Sequence, residues 1–531
     1  MNINTSGIIL SAAKADITIC EVFGDLPTGL IPVNGKPIVF FILEQFLEAN
    51  IIDIYIGVDY KKDKLQEIVD LYFKDKLNIK YVETNKSEGV GNSFLKIIST
   101  VKTNKIVVNL ADTYIKDIEF NNLSNVVVVS NDYLNEERWD TVELDKNKII
   151  KSFNNKIQIS NALVVTGIYS FSDISIFSNF KENRTKIEIT EILNFYHLTY
   201  PLAVCETDNW LDFGHIDKYY ISKKRLIQSR GFNSLEYNDL LGTITKRSEN
   251  IEKFIGEIKW QLNLPKNIKV LVPRVLDYSL DKNPYITMEF YSYPTLSEIW
   301  LFSELHEQIY FSIIDKLFKI LELFRLNKKS VSTLSYKQIY IDKTKARVLE
   351  IENITIKKLL RYNTLILNGK IVQNWTSIQN NIFAKIDDMY IENDNCFIHG
   401  DFCLSNILYD LRSGLVRLID PRGIWGENEN GDIKYDIAKL RHSIVGDYDY
   451  IVNDLFNVFV EENTLNYKIY NSNKKSIKDY FDEKLAQYYT LNQIKMIEGL
   501  LFLSMITLHS DNSNRQLVMY AKAMEIFDEI S

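Results

Sequence analysis

Residues 397–410 read F-I-H-G-D-F-C-L-S-N-I-L-Y-D, and residues 416–423 read V-R-L-I-D-P-R-G. Asp401 is followed five residues later by Asn406, and Asp420 stands fourteen residues beyond that, at the end of an apolar run. The runs 406–409 and 416–419 read as short strands, which sets the polar groups at strand ends and in turns. Phosphoryl transfer from ATP needs three such groups. One carboxylate orients the attacking hydroxyl and accepts its proton, while an amide and a second carboxylate hold magnesium on the phosphates. On this reading Asp401 is the catalytic base, and Asn406 and Asp420 are Mg2+ ligands. A surface turn with solvated acids would account for one Asp, but not for this spacing between two β-type runs.

Working outward, 531 residues are too many for one ordinary core, so two or three domains are expected. With 46% hydrophobic and 25% charged residues, the chain has the balance of a globular protein. A net charge of −8 leaves no basic footprint, which argues against nucleic acid as a partner. Cys20, Cys205, Cys396 and Cys403 are scattered without C-x-x-C spacing, so neither a zinc site nor a disulfide framework is expected, and a cytoplasmic location fits. No signal peptide is read at the N-terminus, and no uninterrupted apolar stretch is long enough to expect membrane insertion.

The N-terminal part alternates strand and helix patterns. G-I-I-L-S-A-A (7–13) reads as a buried strand entering a loop, and L-P-T-G-L-I-P-V-N-G-K-P (26–37) as a loop punctuated by Pro and Gly. Pro37 opens an amphipathic helix through Phe40, Leu43, Phe46 and Leu47. A strand at 51–58, a charged helix at 61–74 and a strand at 79–83 follow. S-E-G-V-G-N-S-F-L-K-I-I (87–98) is a glycine turn leading into a helix, and K-I-V-V-N-L-A-D-T (105–113) is a buried strand ending in Asp112. Such alternation predicts a parallel α/β sheet, whose ligands bind at the carboxyl ends of the strands.

These segments resemble the sugar-phosphate and choline-phosphate nucleotidyltransferases over residues 5–225. The resemblance rests on L-I-P-V-N-G-K-P (30–37), L-A-D-T (110–113), T-G-I-Y-S-F (166–171), E-I-T-E-I-L-N (188–194) and N-W-L-D-F-G-H-I-D-K-Y (209–219). The last matches the family's W-x-D-x-G-T-P-x-x-Y. The resemblance implies a Rossmann-like sheet, metal-binding carboxylates at Asp112 and Asp212, and Lys36 approaching a phosphate as a catalytic lysine. Two carboxylates and a lysine suit a reaction that gathers negative charge at one phosphorus. The chain departs from the family at its first loop. In place of A-G-x-G-x-R it has Ala13, Lys14, Ala15 and Asp16, and in place of P-K-P it has Pro27, Thr28 and Gly29.

A basic helix over 218–230 closes this first domain, and the second is expected to run from 231 to 531. G-T-I-T-K-R-S (242–248) reads as a strand carrying Lys246, and the helix-like 249–260 carries Glu257 eleven residues later. Kinases use such a Lys–Glu pair to position ATP phosphates. Lys253 competes for the role from mid-helix. P-Y-I-T-M-E-F-Y (284–291) reads as a strand entering a connector, which makes Glu289 a cofactor-binding candidate beside an adenine. His306–Arg325 is a helix, and 327–395 reads as polar and irregular. Lys343, Arg347 and Lys370 in that stretch could meet an anion, with a solvated loop as the default for each.

H-G-D-x-x-x-x-N, I-D-P-R-G and Y-D-I-A-K-L (435–440) resemble the aminoglycoside phosphotransferase and choline kinase family, over about 235–525. The implied architecture is a two-lobed protein-kinase-like domain after the Rossmann-like one. In that family the Asp of Y-D-I-A-K-L steadies the fold, so Asp436 is read as structural. His399 is expected to support the site by hydrogen bonding, and Arg422 either touches phosphate or pairs with an acid. Together the halves imply a bifunctional enzyme. It would phosphorylate a small amino alcohol, polyol or sugar with ATP and couple the ester to CTP, the favoured nucleotide, or UTP, giving an activated donor for surface polysaccharide or lipid. The partners are then nucleotides and a small-molecule substrate, with a homo-oligomer left open. In the alternative, only the kinase works and the first domain is a binding module. A non-catalytic scaffold is the third reading, opposed by the intact Asp401, Asn406 and Asp420.

Overall fold

The computed structural model describes residues 5–131, 137–157, 162–181, 184–226, 233–238, 240–425, 430–470 and 474–530. The chain divides into two compact units, 1–227 with 302–304, and 228–301 with 305–531. The boundary expected at 230/231 falls outside the described residues.

Unit 1 is built on β1 (Thr5–Leu10), all but one of whose residues are buried. Such a strand needs neighbours on both edges and cover on both faces. After α1 (Ile17–Phe23) and α2 (Ile38–Glu48) comes β2 (Asp53–Val58), which pairs parallel with one edge of β1. α3 (Lys62–Phe73) then leads to β3 (Asn78–Glu83), parallel to β2. α4 (Val90–Ile98) returns the chain to β4 (Lys105–Asn109), parallel to the other edge of β1. The spatial order β3-β2-β1-β4 is the Rossmann-type order. The direction of winding reverses between β1 and β4, and a crevice opens there at the carboxyl ends of the strands. Beyond β4 the sheet continues through the antiparallel strand Leu163–Phe171.

Pro37 stands at the N-cap position of α2, as its fixed φ suits, and the helix buries Ile38, Val39, Ile42, Leu43 and Phe46. α1 has no counterpart in the sequence reading. Its I-T-I-C-E-V-F is rich in β-branched residues, and its start depends on Asp16, which accepts from the Thr18 amide at 2.9 Å.

Unit 2 begins with an antiparallel sheet in the order Asn233–Asn238, Thr243–Ser248, Tyr285–Glu289, Val275–Ser279. α5 (Ile251–Leu262) covers it through Phe254 and Ile258, which pack with Ile286. The stretch 327–395, expected to be irregular, is largely ordered. It contains α6 (Lys343–Leu349), the hairpin Thr364–Leu367/Lys370–Gln373 and the helix Trp375–Asp388. Buried Tyr336, Tyr340, Ile356, Trp375 and Ile386 hold it, each spaced among polar residues that mask the periodicity. Two short hairpin-like pairs, Asn395–Phe397 with Asn430–Asp432 and Ile407–Tyr409 with Val416–Leu418, lie ahead of α7 (Ile433–Ile444). α8 (Leu491–Met505) packs against α7, and α9 (Ser513–Glu529) packs against α8. By length and composition Leu491–His509 could cross a membrane, and 61% of its most apolar window is buried inside the protein.

Candidate functional site

In unit 1 the chain turns sharply after β4. The Asn109 side chain accepts from the Ala111 amide at 2.9 Å, and Ala111 takes a left-handed φ of 66°. This turn delivers Asp112 to the start of the strand Thr113–Ile115, which pairs antiparallel with Trp210–Asp212, Thr113 opposite Asp212. The Phe213 amide donates to the Asp112 carbonyl at 2.9 Å. The two carboxylates therefore meet at the carboxyl end of β4, beside the crevice. Gly214 is what lets them meet. A Cβ there would lie 2.6 Å from Asp112 Oδ2 and 3.3 Å from Asp212 Oδ1.

Burial first, and then the charge of Asp212, push the Asp112 carboxyl up to about 7. Asp212 is held by the Gly214 amide at 2.9 Å and by His215 Nδ1 at 2.7 Å. Burial opposes the imidazolium of His215, but Asp212 and then Asp112 outweigh it and raise its pKa. The His215 ring lies edge-on to Trp139, centroids 5.1 Å apart. Lys156 contributes positive charge to Asp112 and to the nearby Asp140, whose carboxyl burial lifts to about 6. Among the described residues no group of three or more His, Cys, Asp or Glu side chains forms a metal cage. Two crowded carboxylates, one driven toward its neutral form, are nevertheless hard oxygen donors that fit Mg2+ with water completing its shell.

The loop that lacks the family's glycines is zipped to the segment after it. Ala15 N donates to Leu26 O, and Thr28 N to Ala13 O, both at 3.0 Å. Lys14 pairs with Asp25 at 2.7 Å, and Asp16 caps α1. Among the described residues the amides of Ala12, Ala13 and Lys14 have no acceptor, so three successive N–H groups remain at the end of β1. Lys36 is not joined to the two acids. Half-exposed on the hairpin Pro32–Val33/Lys36–Pro37, it pairs with Glu44 of α2 at 3.0 Å.

In unit 2, Lys246 Nζ lies 2.6 Å from Glu257 Oε1 and 2.8 Å from Asp420 Oδ1. Burial alone would lower the Lys246 pKa, and Asp420 and then Glu257 raise it instead. Asp420 has a left-handed φ of 52°, and Gly423 follows at 81°. A Cβ on Gly423 would stand 2.5 Å from the Glu257 amide, so the D-P-R-G turn lies directly on the backbone of α5. Lys253, the rival candidate, is exposed in the first turn of α5. Glu289 takes no part in the cluster. Its carboxylate accepts from Tyr291 Oη at 3.0 Å and from the Arg274 amide at 3.3 Å.

Asn406 Nδ2 donates to Asp401 Oδ2 at 2.9 Å and to its carbonyl at 3.0 Å, and Lys439 Nζ lies 2.9 Å from Asp401 Oδ1. Burial would raise the Asp401 carboxyl, but the Lys439 ammonium holds it below the usual range. Asp436 accepts the amides of His399 and Gly400, both at 2.7 Å. The hydrogen bonding of His399 runs through its backbone, whose amide donates to Asp436 and whose carbonyl accepts from the Arg422 amide. Both ring nitrogens lack a partner among the described residues, the ring lies edge-on to Trp260 and Phe402, and burial lowers its pKa to about 4. The neutral ring is thus a packing element, and the residue's polar contribution is its backbone. Asp420 Oδ2 and Asn406 Oδ1 have no donor among the described residues, which fits a hard cation there.

The structure therefore brings together Asp112 with Asp212, Asp401 with Asn406, and Lys246 with Glu257 and Asp420. Lys36 and Glu289 stand outside these groups. Lys156, His215 and Lys439 were missed. The signal for His215 was its place at the Thr of W-x-D-x-G-T-P, and for Lys439 its place inside Y-D-I-A-K-L.

About 40% of the chain, at the N-terminal end, resembles sugar-phosphate nucleotidyltransferases. It is 27% identical over 208 residues to the D-glycero-alpha-D-manno-heptose 1-phosphate guanylyltransferase of Campylobacter jejuni, covering 38% of this chain and 90% of that protein. It is 33% identical over 217 residues to the bifunctional protein GlmU of Methanococcus maripaludis, covering 39% of this chain and 51% of that one. The chain thus spans about half the length of this GlmU. The solved structure of HddC from Yersinia pseudotuberculosis complexed with GMP-PN matches with a TM-score of 0.34 and 16% identity, over 42% of this chain and 99% of that one. No family model matches the chain.

Proposed function

We propose that the chain is a bifunctional enzyme: unit 2 phosphorylates a small hydroxyl compound, and unit 1 joins a phosphate ester to a nucleotide. The observation that carries the second step is the pair Asp112–Asp212 at the carboxyl end of β4, within the part that resembles sugar-phosphate nucleotidyltransferases. The likeness to a guanylyltransferase acting on a heptose 1-phosphate supports a sugar phosphate as the ester and broadens the nucleotide beyond CTP. In unit 1 the ester's phosphate oxygen attacks the α-phosphorus of a nucleoside triphosphate, and pyrophosphate leaves. The free amides of Ala12, Ala13 and Lys14 suit the triphosphate, in the manner of a backbone cradle that does not need glycine side-chain vacancies. His215 orients Asp212, and Lys156 adds charge beside Asp112.

In unit 2, Lys246, steadied by Glu257, faces the phosphates of ATP, and Asp401 receives the acceptor's hydroxyl proton. The acceptor oxygen bonds to the γ-phosphorus, the bond to the β,γ-bridging oxygen breaks, and ADP leaves. Mg2+ held by Asp112 and Asp212, and by Asn406 and Asp420, would offset the charge that gathers at each phosphorus. Lys439 keeps Asp401 ionised and fixes one of its oxygens, leaving the other near Asn406.

A second reading, unit 1 as a binding module, is favoured by Lys14 and Asp16, which are taken up by Asp25 and by the cap of α1. One assay separates them. ADP formation is followed over alcohols, polyols and sugars, and pyrophosphate release over GTP, CTP and UTP with the matching esters. The proposal expects both products. ADP without pyrophosphate leaves the binding module, and pyrophosphate without ADP removes the kinase.

A further inference from the structure

Tyr435, 2% exposed on α7, is surrounded by cations. Lys343 Nζ, at the start of α6, lies 3.2 Å from its hydroxyl, and Arg422 Nη1 also lies 3.2 Å from it. Arg422 Nε donates to the Ile424 carbonyl at 3.0 Å. Among the described residues neither Lys343 nor Arg422 is paired with a carboxylate. Lys439, one turn along α7 and 6% exposed, belongs to the same group, and its partner Asp401 is the carboxylate that balances it. Among the described residues the cluster therefore holds three cations against one acid.

It also lies beside the reacting position. The Arg422 amide donates to the His399 carbonyl at 3.0 Å, and a Cβ on Gly400 would stand 2.7 Å from Arg422 Cβ. The Arg422 stem thus packs on the residue before Asp401. Unbalanced positive charge withdrawn from water is costly, and an anion removes that cost. Burial, with Arg422 and Lys439 nearby, lowers the Lys343 pKa to about 8, in the direction such a cost requires. The face of Tyr435 offers no place to a quaternary ammonium either. Lys343 and Arg422 already stand over its ring, 5.4 and 5.9 Å from the centroid.

We infer that the compound phosphorylated in unit 2 carries a negative charge, a carboxylate or a phosphate, received by Arg422 and Lys343 at Tyr435 while its hydroxyl faces Asp401. This rests on the kinase reading of unit 2 and excludes choline-like acceptors. The γ-phosphate of ATP is the other anion these cations could serve, and the test separates the two.

ADP formation by the full chain is measured with glycerol, D-glycerate, glycerol 3-phosphate and choline as acceptors. Binding of the same four compounds to the ADP-saturated protein is measured by calorimetry. We expect an anionic member to exceed glycerol by about 100-fold in kcat/KM or in affinity, with choline weaker still. Lys343→Met and Arg422→Gln raise the KM of that anion about tenfold and leave the KM of ATP within about twofold. Preference for glycerol or choline overturns the inference, as does an ADP-bound protein that takes up neither anion. A rise in the KM of ATP instead assigns the cations to the triphosphate and also overturns it. Failure of ADP to bind at all removes the kinase reading beneath it, a result the other outcomes do not resemble.

Discussion

The acids of unit 1 lie against each other, whereas those of unit 2 each lie against a lysine. Asp112 and Asp212 converge across Gly214, and burial with mutual repulsion lifts Asp112 to about 7. Asp401 has Lys439, Asp420 has Lys246, and Asp401 stays below its ordinary range. In the first arrangement His215 and Lys156 offset the repulsion only in part, while in the second each acid has an ammonium directly against it. Metal should therefore affect the folded state of unit 1 far more than that of unit 2.

The largest test of this contrast is Asp401→Asn. Loss of the proton acceptor should cut ATP-dependent phosphorylation about 1000-fold and leave pyrophosphate release untouched. Equal loss of both activities would break the separation of roles. Asp112→Asn comes next. Pyrophosphate release should fall about 300-fold, and the Mg2+-dependent rise in melting temperature of unit 1 should vanish with it. A Mg2+ shift that survives in Asp112→Asn and is lost in Asp420→Asn would reverse the comparison. Gly214→Ala is milder. Its methyl group would press on Asp112 Oδ2 at 2.6 Å, and about 2 kcal/mol of strain, roughly 30-fold in pyrophosphate release, is expected in a folded protein.

The smallest effect concerns pH. Lys343 titrates near 8, faced by Tyr435, Arg422 and Lys439. It is cationic below that value and neutral above it, so binding of an anionic acceptor is intact at pH 7 and weakens as pH rises through 8. The acceptor KM should climb about fivefold between pH 7 and 9, and Lys343→Met should flatten that limb. Tyr435, whose pKa burial would raise but Lys343, Arg422 and Lys439 lower to about 8, adds negative charge in the same window and acts in the same direction.

The alternating strands and helices of unit 1 were legible because its buried parallel strands carry unbroken apolar runs, such as Ile8–Leu10 and Ile106–Val108, and because Pro37 marks a helix start. α1 was not, since its residues favour strands and its cap, Asp16, looked like a misplaced charge in a phosphate loop. The hairpin Phe456–Glu461/Thr464–Ile469 was not anticipated, because N-V-F-V-E alternates over too few residues to stand out. For the candidate site, Asp401, Asn406, Asp420 and Lys246 were named from spacing, and Asp112 and Asp212 from the resemblance carried by L-A-D-T and N-W-L-D-F-G-H-I-D-K-Y. Lys36 could not be judged, because its partner Glu44 is set by the packing of α2 against the hairpin. Lys439 and Lys343 owe their interest to what surrounds them in space, 38 residues from Asp401 in one case and on another helix in the other.

Asp436 has a consequence for how unit 2 acquires its structure. It holds the amides of His399 and Gly400 from a position 37 and 36 residues later in the chain, respectively. The loop bearing Asp401 cannot settle until α7 has been made and has docked, and closing so long a segment is entropically slow. α8 braces α7 in turn, and α9 packs on α8. A ribosome must therefore release the chain through α8 before the loop bearing Asp401 is held from both sides. On the kinase reading proposed for unit 2, a chain cut short before α8 should fail to phosphorylate although no residue facing ATP has been removed.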